Sequence, residues 1–151
     1  MTTLDVREDD FPAPSRETTG TVGDVPTQIT RLDFSDKILL TISQRGRLSQ
    51  WIQVPLTGSS AGLVDMTLPT ATTHSLLPST HLTPKTLLGG GGEDRETLGQ
   101  LYAAQIASQV SLRAPDDRRT LILGLGLEGA GAGSVQREAF YDLLELAQRV
   151  L

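Results

Sequence analysis

Apolar and polar positions alternate along one short segment of this chain and recur at helical spacing in two others. Ile38, Leu40 and Ile42 fall on one side of an extended segment, because successive strand side chains point to opposite faces. Residues 25–34 also favour extended structure, and Ser35, Asp36 and Lys37 between the two segments supply a turn, so a first hairpin is expected. After the tight Arg45-Gly46-Arg47 turn, Leu48, Ile52 and Val54 share one face of a third strand. A three-stranded antiparallel meander is the expectation. Trp51 falls between Ser49 and Gln53, on the opposite face of that third strand, so a helix or a partner must cover it.

Residues 56–84 are rich in Ser, Thr, Gly, Pro and His, and only 62–68 are dense enough in apolar groups for a short strand, so a long flexible loop is expected there. Residues 85–88 predict another short strand, after which four glycines at 89–92 interrupt regular structure. Leu98, Tyr102, Ile106 and Val110 lie four apart, with Leu101 alongside, and predict a helix over 94–113 that Pro115 ends. Glu93, Asp94 and Glu96 complement the positive end of that helix. Residues 120–127 predict a strand, and Ser134 is placed to cap a second helix with the stripe Val135, Ala139, Leu143, Leu146 and Val150. The fold class expected is α+β: a mainly antiparallel sheet, made of the meander and later strands, with two packed helices.

Composition changes this picture mainly at the N-terminus. The 151 residues suit one domain, with 38% apolar residues and 21% charged. Residues 1–23 combine acids, Ser, Thr and two prolines with few apolar groups, which predicts a disordered acidic tail ahead of a single domain over 24–151. Six acids and two arginines within residues 1–24 carry −4 of the net −5, so the remainder is nearly neutral. No Lys/Arg cluster is dense enough to follow a phosphate backbone, and nucleic acid is not an expected partner. Cysteine is absent, which removes disulfides, thiolate metal sites and thiol redox chemistry. The acidic start is not a secretory leader and no apolar run reaches membrane-spanning length, so a soluble cytoplasmic protein without membrane attachment is expected, with the nucleus also open to it.

Two glycine patterns invite chemistry and fail on context. Gly124, Gly126 and Gly129 match G-x-G-x-x-G between a strand and a helix, where glycines let backbone amides approach a pyrophosphate. The dinucleotide fingerprint needs a further strand with an acid about twenty residues on, and the chain reaches Leu151 with the helix. A small nucleotide-binding domain using 124–133 is therefore the alternative function. The other reading is that Gly124 and Gly126 flatten one strand face for close packing. Gly58-Ser59-Ser60-Ala61-Gly62 satisfies G-x-S-x-G, but no helix follows to form a nucleophile elbow.

His74 and His81 are seven apart in a polar loop with no carboxylate cluster beside them. Asp116 and Asp117 read as a solvated turn. No catalytic, metal or cofactor-binding residue is assigned. Arg45 and Arg47 at a hairpin tip near Trp51, and Arg118 and Arg119 ahead of the last strand, are the residues suited to binding a partner protein, since Arg and Trp offer large contact area with directional polar groups. Ordinary turn solvation and a buried indole are the competing reading.

With its elements in this order, the chain resembles the proteasome assembly chaperone 3 family over about residues 24–151. The resemblance is carried by Asp24-Val25-Pro26-Thr27-Gln28-Ile29, Phe34-Ser35-Asp36-Lys37-Ile38-Leu39, and Thr41-Ile42-Ser43-Gln44-Arg45-Gly46-Arg47. It continues in Thr86-Leu87-Leu88-Gly89, Ala104-Gln105-Ile106-Ala107-Ser108-Gln109 and Leu121-Ile122-Leu123-Gly124 with the terminal helix. The longer 56–84 connection, the glycines at 89–92 and the Gly-Ala loop after Gly126 depart from animal members and look like a fungal version. The resemblance implies a non-enzymatic chaperone without cofactors. It would pair as a heterodimer with a partner of related fold, the fourth assembly chaperone, and bind α-type subunits to promote assembly of the 20S α-ring.

Overall fold

The computed structural model describes residues 13–57, 82–128 and 135–151. Six strands form one sheet: β1 (Ser15–Val22), β2 (Val25–Asp33), β3 (Lys37–Gln44), β4 (Gln50–Pro55), β5 (Lys85–Leu88) and β6 (Thr120–Gly126). Two helices accompany them, α1 (Glu93–Arg113) and α2 (Val135–Ala147). The spatial order is β1-β2-β3-β6-β4-β5, with every neighbouring pair antiparallel except β3 and β6. The fold is α+β, as the alternation and the two helical stripes predict.

The meander is displaced by one strand. Its members are β1, β2 and β3, whereas β4 pairs with β6 rather than with β3. Contact between the β3 and β4 segments is reduced to a bridge of Gln44 with Arg47 across the turn. The strand β1 occupies part of the stretch expected as a disordered tail. Gly23 and Asp24, both at positive φ (55° and 63°), form the two-residue turn whose twist matches an antiparallel hairpin, and Val22 stands opposite Val25. β-Branched Thr18, Thr19, Thr21 and Val22 then suit the extended edge. Residues 1–12, the short strand expected at 62–68, both histidines, the G-x-S-x-G serines and Ser134 lie outside the described residues.

One face of the sheet holds the core. Ile29, Ile38, Leu40, Ile42, Ile52, Val54, Leu121, Leu123 and Leu125 are buried and point to the same side by register. Ala103, Ile106, Ala107 and Val110 of α1, with Leu143, Leu146 and Ala147 of α2, complete the cluster. The two helices meet through Tyr102 and Phe140, whose ring centroids lie 4.7 Å apart. Burial pushes the Tyr102 phenol up to about 12. Helix α1 is held at its end by the Ala114 amide donating to the Val110 carbonyl at 2.9 Å, just before Pro115. Its acids Glu93, Asp94 and Glu96 sit in the first turn, where the helix dipole favours them.

Candidate protein-binding site

The sheet has a second face, and its composition follows from the same alternation that builds the core. Residues between the buried ones in β2, β3, β6 and β4 point away from both helices. Two registers cross this face. Leu32, Leu39, Ile122 and Gln53 are neighbours along one, and Thr30, Thr41, Gly124, Trp51 and Leu88 along the other. Among the described residues no helix lies on this side. Leu32, Leu39, Ile122 and Trp51 are half-buried, and Leu88 on the outermost strand is 67% exposed.

Trp51 needs a neighbour without a side chain. A Cβ on Gly124 would come within 2.9 Å of the indole, and one on Gly126 would overlap the backbone of Arg47 and Leu48. Gly124 and Gly126 of the apparent phosphate motif thus lie within β6, Gly124 paired on both sides and Gly126 with Ser43 of β3. They admit an aromatic ring and a crossing hairpin backbone. Gly129 and the rest of that segment fall outside the described residues.

The four arginines singled out in the sequence divide between opposite ends of the sheet, roughly 20 Å apart along β6 at the usual rise per residue. Arg45 and Arg47 flank the turn after β3. Arg45 pairs with Glu128 at 3.2 Å while remaining 72% exposed, and Arg47 is exposed. Arg118 is exposed at the far end. Arg119 is committed inside the chain: its Nη1 donates to Asp33 Oδ1 at 3.0 Å and to the Phe34 carbonyl at 3.1 Å, and its Nη2 donates to Asp117 Oδ2 at 2.8 Å. Arg31 adds its Nη2 to the same Asp33 carboxylate at 2.8 Å.

This network sets the local electrostatics. Burial raises Asp33, but hydrogen bonds and charge from Arg31 and then Arg119 outweigh it and hold the carboxyl below its usual range. For Asp117 the hydrogen bond from Arg119 dominates, and that carboxyl is also held low. Arg119 therefore fastens the β2–β3 turn to the segment before β6. Of the sequence candidates, Arg45, Arg47 and Trp51 gather around one end and the uncovered face, and the other two do not join them.

A second polar device lies near the hairpin. The Gln44 side chain is buried; its Nε2 donates to Thr27 Oγ1 at 3.0 Å, and its Oε1 accepts the Glu128 amide at 2.7 Å. The chain leaving β6 is thereby fixed over the start of its loop. Sequence reasoning overlooked Ser49 and Arg95 at this end. The Arg95 guanidinium donates to Ser49 Oγ, and Ser49 Oγ donates to the Leu125 carbonyl at 3.3 Å. The one signal for Arg95 is a cation set among Glu93, Asp94 and Glu96. Among the described residues no group of His, Asp or Glu side chains is arranged to hold a metal ion.

No family model matches the chain. No curated protein sequence matches it. Among solved structures, the fold is similar to that of a chain in the crystal structure of a novel chaperone complex for yeast 20S proteasome assembly, with a TM-score of 0.56 and 13% sequence identity over 90% of this chain and 97% of that one. At that identity the likeness is one of fold.

Proposed function

We propose that this chain is a non-enzymatic chaperone of 20S proteasome assembly that pairs with a related chaperone and binds α-type proteasome subunits. The observation that carries the reading is the sheet face bearing Leu32, Leu39, Ile122, Trp51 and Leu88, with both helices packed on the other side. A half-buried indole among aliphatic and Thr side chains, with Arg45 and Arg47 at one end of the face, has the make-up of a protein interface. The shared fold with a chain of a yeast assembly-chaperone complex supports it, as do the sequence segments that resemble the assembly chaperone 3 family.

Pairing then buries this face against the equivalent face of a partner of related fold. Sheet-on-sheet packing about 10 Å apart suits two such surfaces. The Arg45 and Arg47 end stays at the margin, where it meets an α-type subunit. Arg45→Glu with Arg47→Glu weakens that contact more than it destabilises the fold, because the Arg45 pair with Glu128 is solvent-exposed. The test is a pull-down with recombinant α-type subunits and the fourth assembly chaperone as prey. Recovery of both supports the proposal, and recovery of neither overturns it.

A further inference from the structure

At the end of the sheet where β6 leaves and β4 enters lies a cavity of about 460 Å³ lined by Arg47, Ser49, Arg95, Gly126, Leu127 and Glu128. Three separate parts of the chain converge on it: the β3–β4 turn, the first turn of α1 and the end of β6. The convergence is held in place by hydrogen bonds. Ser49 is tied to β6 through its amide and its hydroxyl, both donating to the Leu125 carbonyl at 3.0 and 3.3 Å. Arg95 is tied to Ser49 through its guanidinium, and its own carbonyl accepts Gln50 Nε2 at 3.0 Å.

Two arginines, Arg47 and Arg95, line this cavity on a chain whose net charge is −5. Glu128 is the one acid of the lining and is paired to Arg45; among the described residues neither Arg47 nor Arg95 makes an ion pair, although Glu93, Asp94 and Glu96 share the first turn of α1 with Arg95. Arg47 makes no side-chain hydrogen bond or ion pair among the described residues. Arg95 spends one donor on Ser49 of the five that a guanidinium carries. Such a pair of forks matches a carboxylate, which can accept two N–H groups from each. Leu48, between two lining residues, is 40% exposed and offers apolar contact to whatever bears the carboxylate.

We propose that this cavity is a receptor for an acidic side chain of a partner protein, held between Arg47 and Arg95 with Ser49 fixing the position of Arg95. The inference rests on the chaperone reading for the identity of that partner as an assembly component. Its site and chemistry rest on the cavity alone.

The test is a titration of the full chain with a hexaglutamate peptide at low salt, followed through the arginine Nε–Hε resonances. The Arg47 and Arg95 signals shift and saturate together. Arg47→Ala with Arg95→Ala lowers the affinity about tenfold, as expected for two partly exposed ion pairs, whereas Arg118→Ala leaves it unchanged. Hexaglutamate that moves neither resonance, or binds the double variant equally well, overturns the proposal. So does inorganic phosphate that saturates both arginines at concentrations where hexaglutamate does not. A chain that binds hexaglutamate here yet captures neither chaperone nor α-type subunit keeps the receptor and defeats the assembly reading. Loss of hexaglutamate binding with capture intact does the reverse.

Discussion

The indole of Trp51 occupies the space that a side chain on Gly124 would fill, with a Cβ there coming within 2.9 Å of the ring. The two residues face each other across the β4–β6 pairing, so the uncovered face is shaped by a ring and an absence. Gly124→Ala must push the ring outward. A loss of about 1–2 kcal/mol follows, in the range for overpacking a tight site. Trp51 is the sole tryptophan, so its emission reports the change directly. A red-shifted maximum with a lowered melting temperature is expected, and unchanged emission would contradict the contact.

Arg119 links two carboxylates, and the sign of its pH effect follows from their direction. Asp33 and Asp117 are both held below their usual range. Groups lowered on folding add stability that is present above their unfolded value, about 3.9, and is lost as pH falls through the folded values. Arg119→Ala therefore destabilises by about 1–3 kcal/mol near neutral pH, and the loss of stability between pH 5 and pH 3 becomes shallower than in the wild type. Urea unfolding at several pH values reads both effects. Coincident curves for the two proteins would show that the network contributes nothing to folding, and parallel but offset curves would contradict the pH effect.

Gln44 holds the exit of β6. Its Oε1 accepts the Glu128 amide while its Nε2 reaches Thr27, so Gln44→Ala strands buried partners and destabilises by about 1–3 kcal/mol. Hydrogen exchange at the Glu128 amide should accelerate more than at Leu123 in the same strand. Equal acceleration at both positions would mean global loosening instead of a local tether.

The uncovered face predicts a separation of folding from pairing. Leu39→Glu with Ile122→Glu places charges on half-buried positions that point away from the helices. The melting temperature drops modestly, since the core residues Ile38, Leu40, Leu121 and Leu123 are untouched. Affinity for the partner chaperone falls more than about thirtyfold, as for loss of central interface residues. Pairing at wild-type strength in this variant would move the interface elsewhere.

Much of this was legible locally and little of it globally. Alternation at Ile38, Leu40 and Ile42 and the four-residue spacing from Leu98 to Val110 give the type and inward side of each element, because those depend only on neighbours in sequence. Which strand lies beside which does not. Nothing near Leu48 or Val54 says that β6 inserts between β3 and β4, and the clue is remote, in the glycines that admit Trp51 and the hairpin backbone. The β1 strand was hidden by its polar composition, although Gly23 and Asp24 between two valines are a hairpin signal. At the site, Arg47 and Trp51 stood out by residue type. Arg119 looked equally suitable until Asp33, distant in sequence, claimed its guanidinium, and Arg95 was lost among acids until folding set it against Ser49.

Co-expression of the chain with the fourth assembly chaperone and α-type subunits, followed by size-exclusion chromatography, reads pairing and subunit binding together. The chain is expected to elute with its partner in equal amounts and to carry α-type subunits with it, and to lose both when Leu39 and Ile122 are replaced by Glu. Elution of the wild-type chain apart from both proteins would contradict the account.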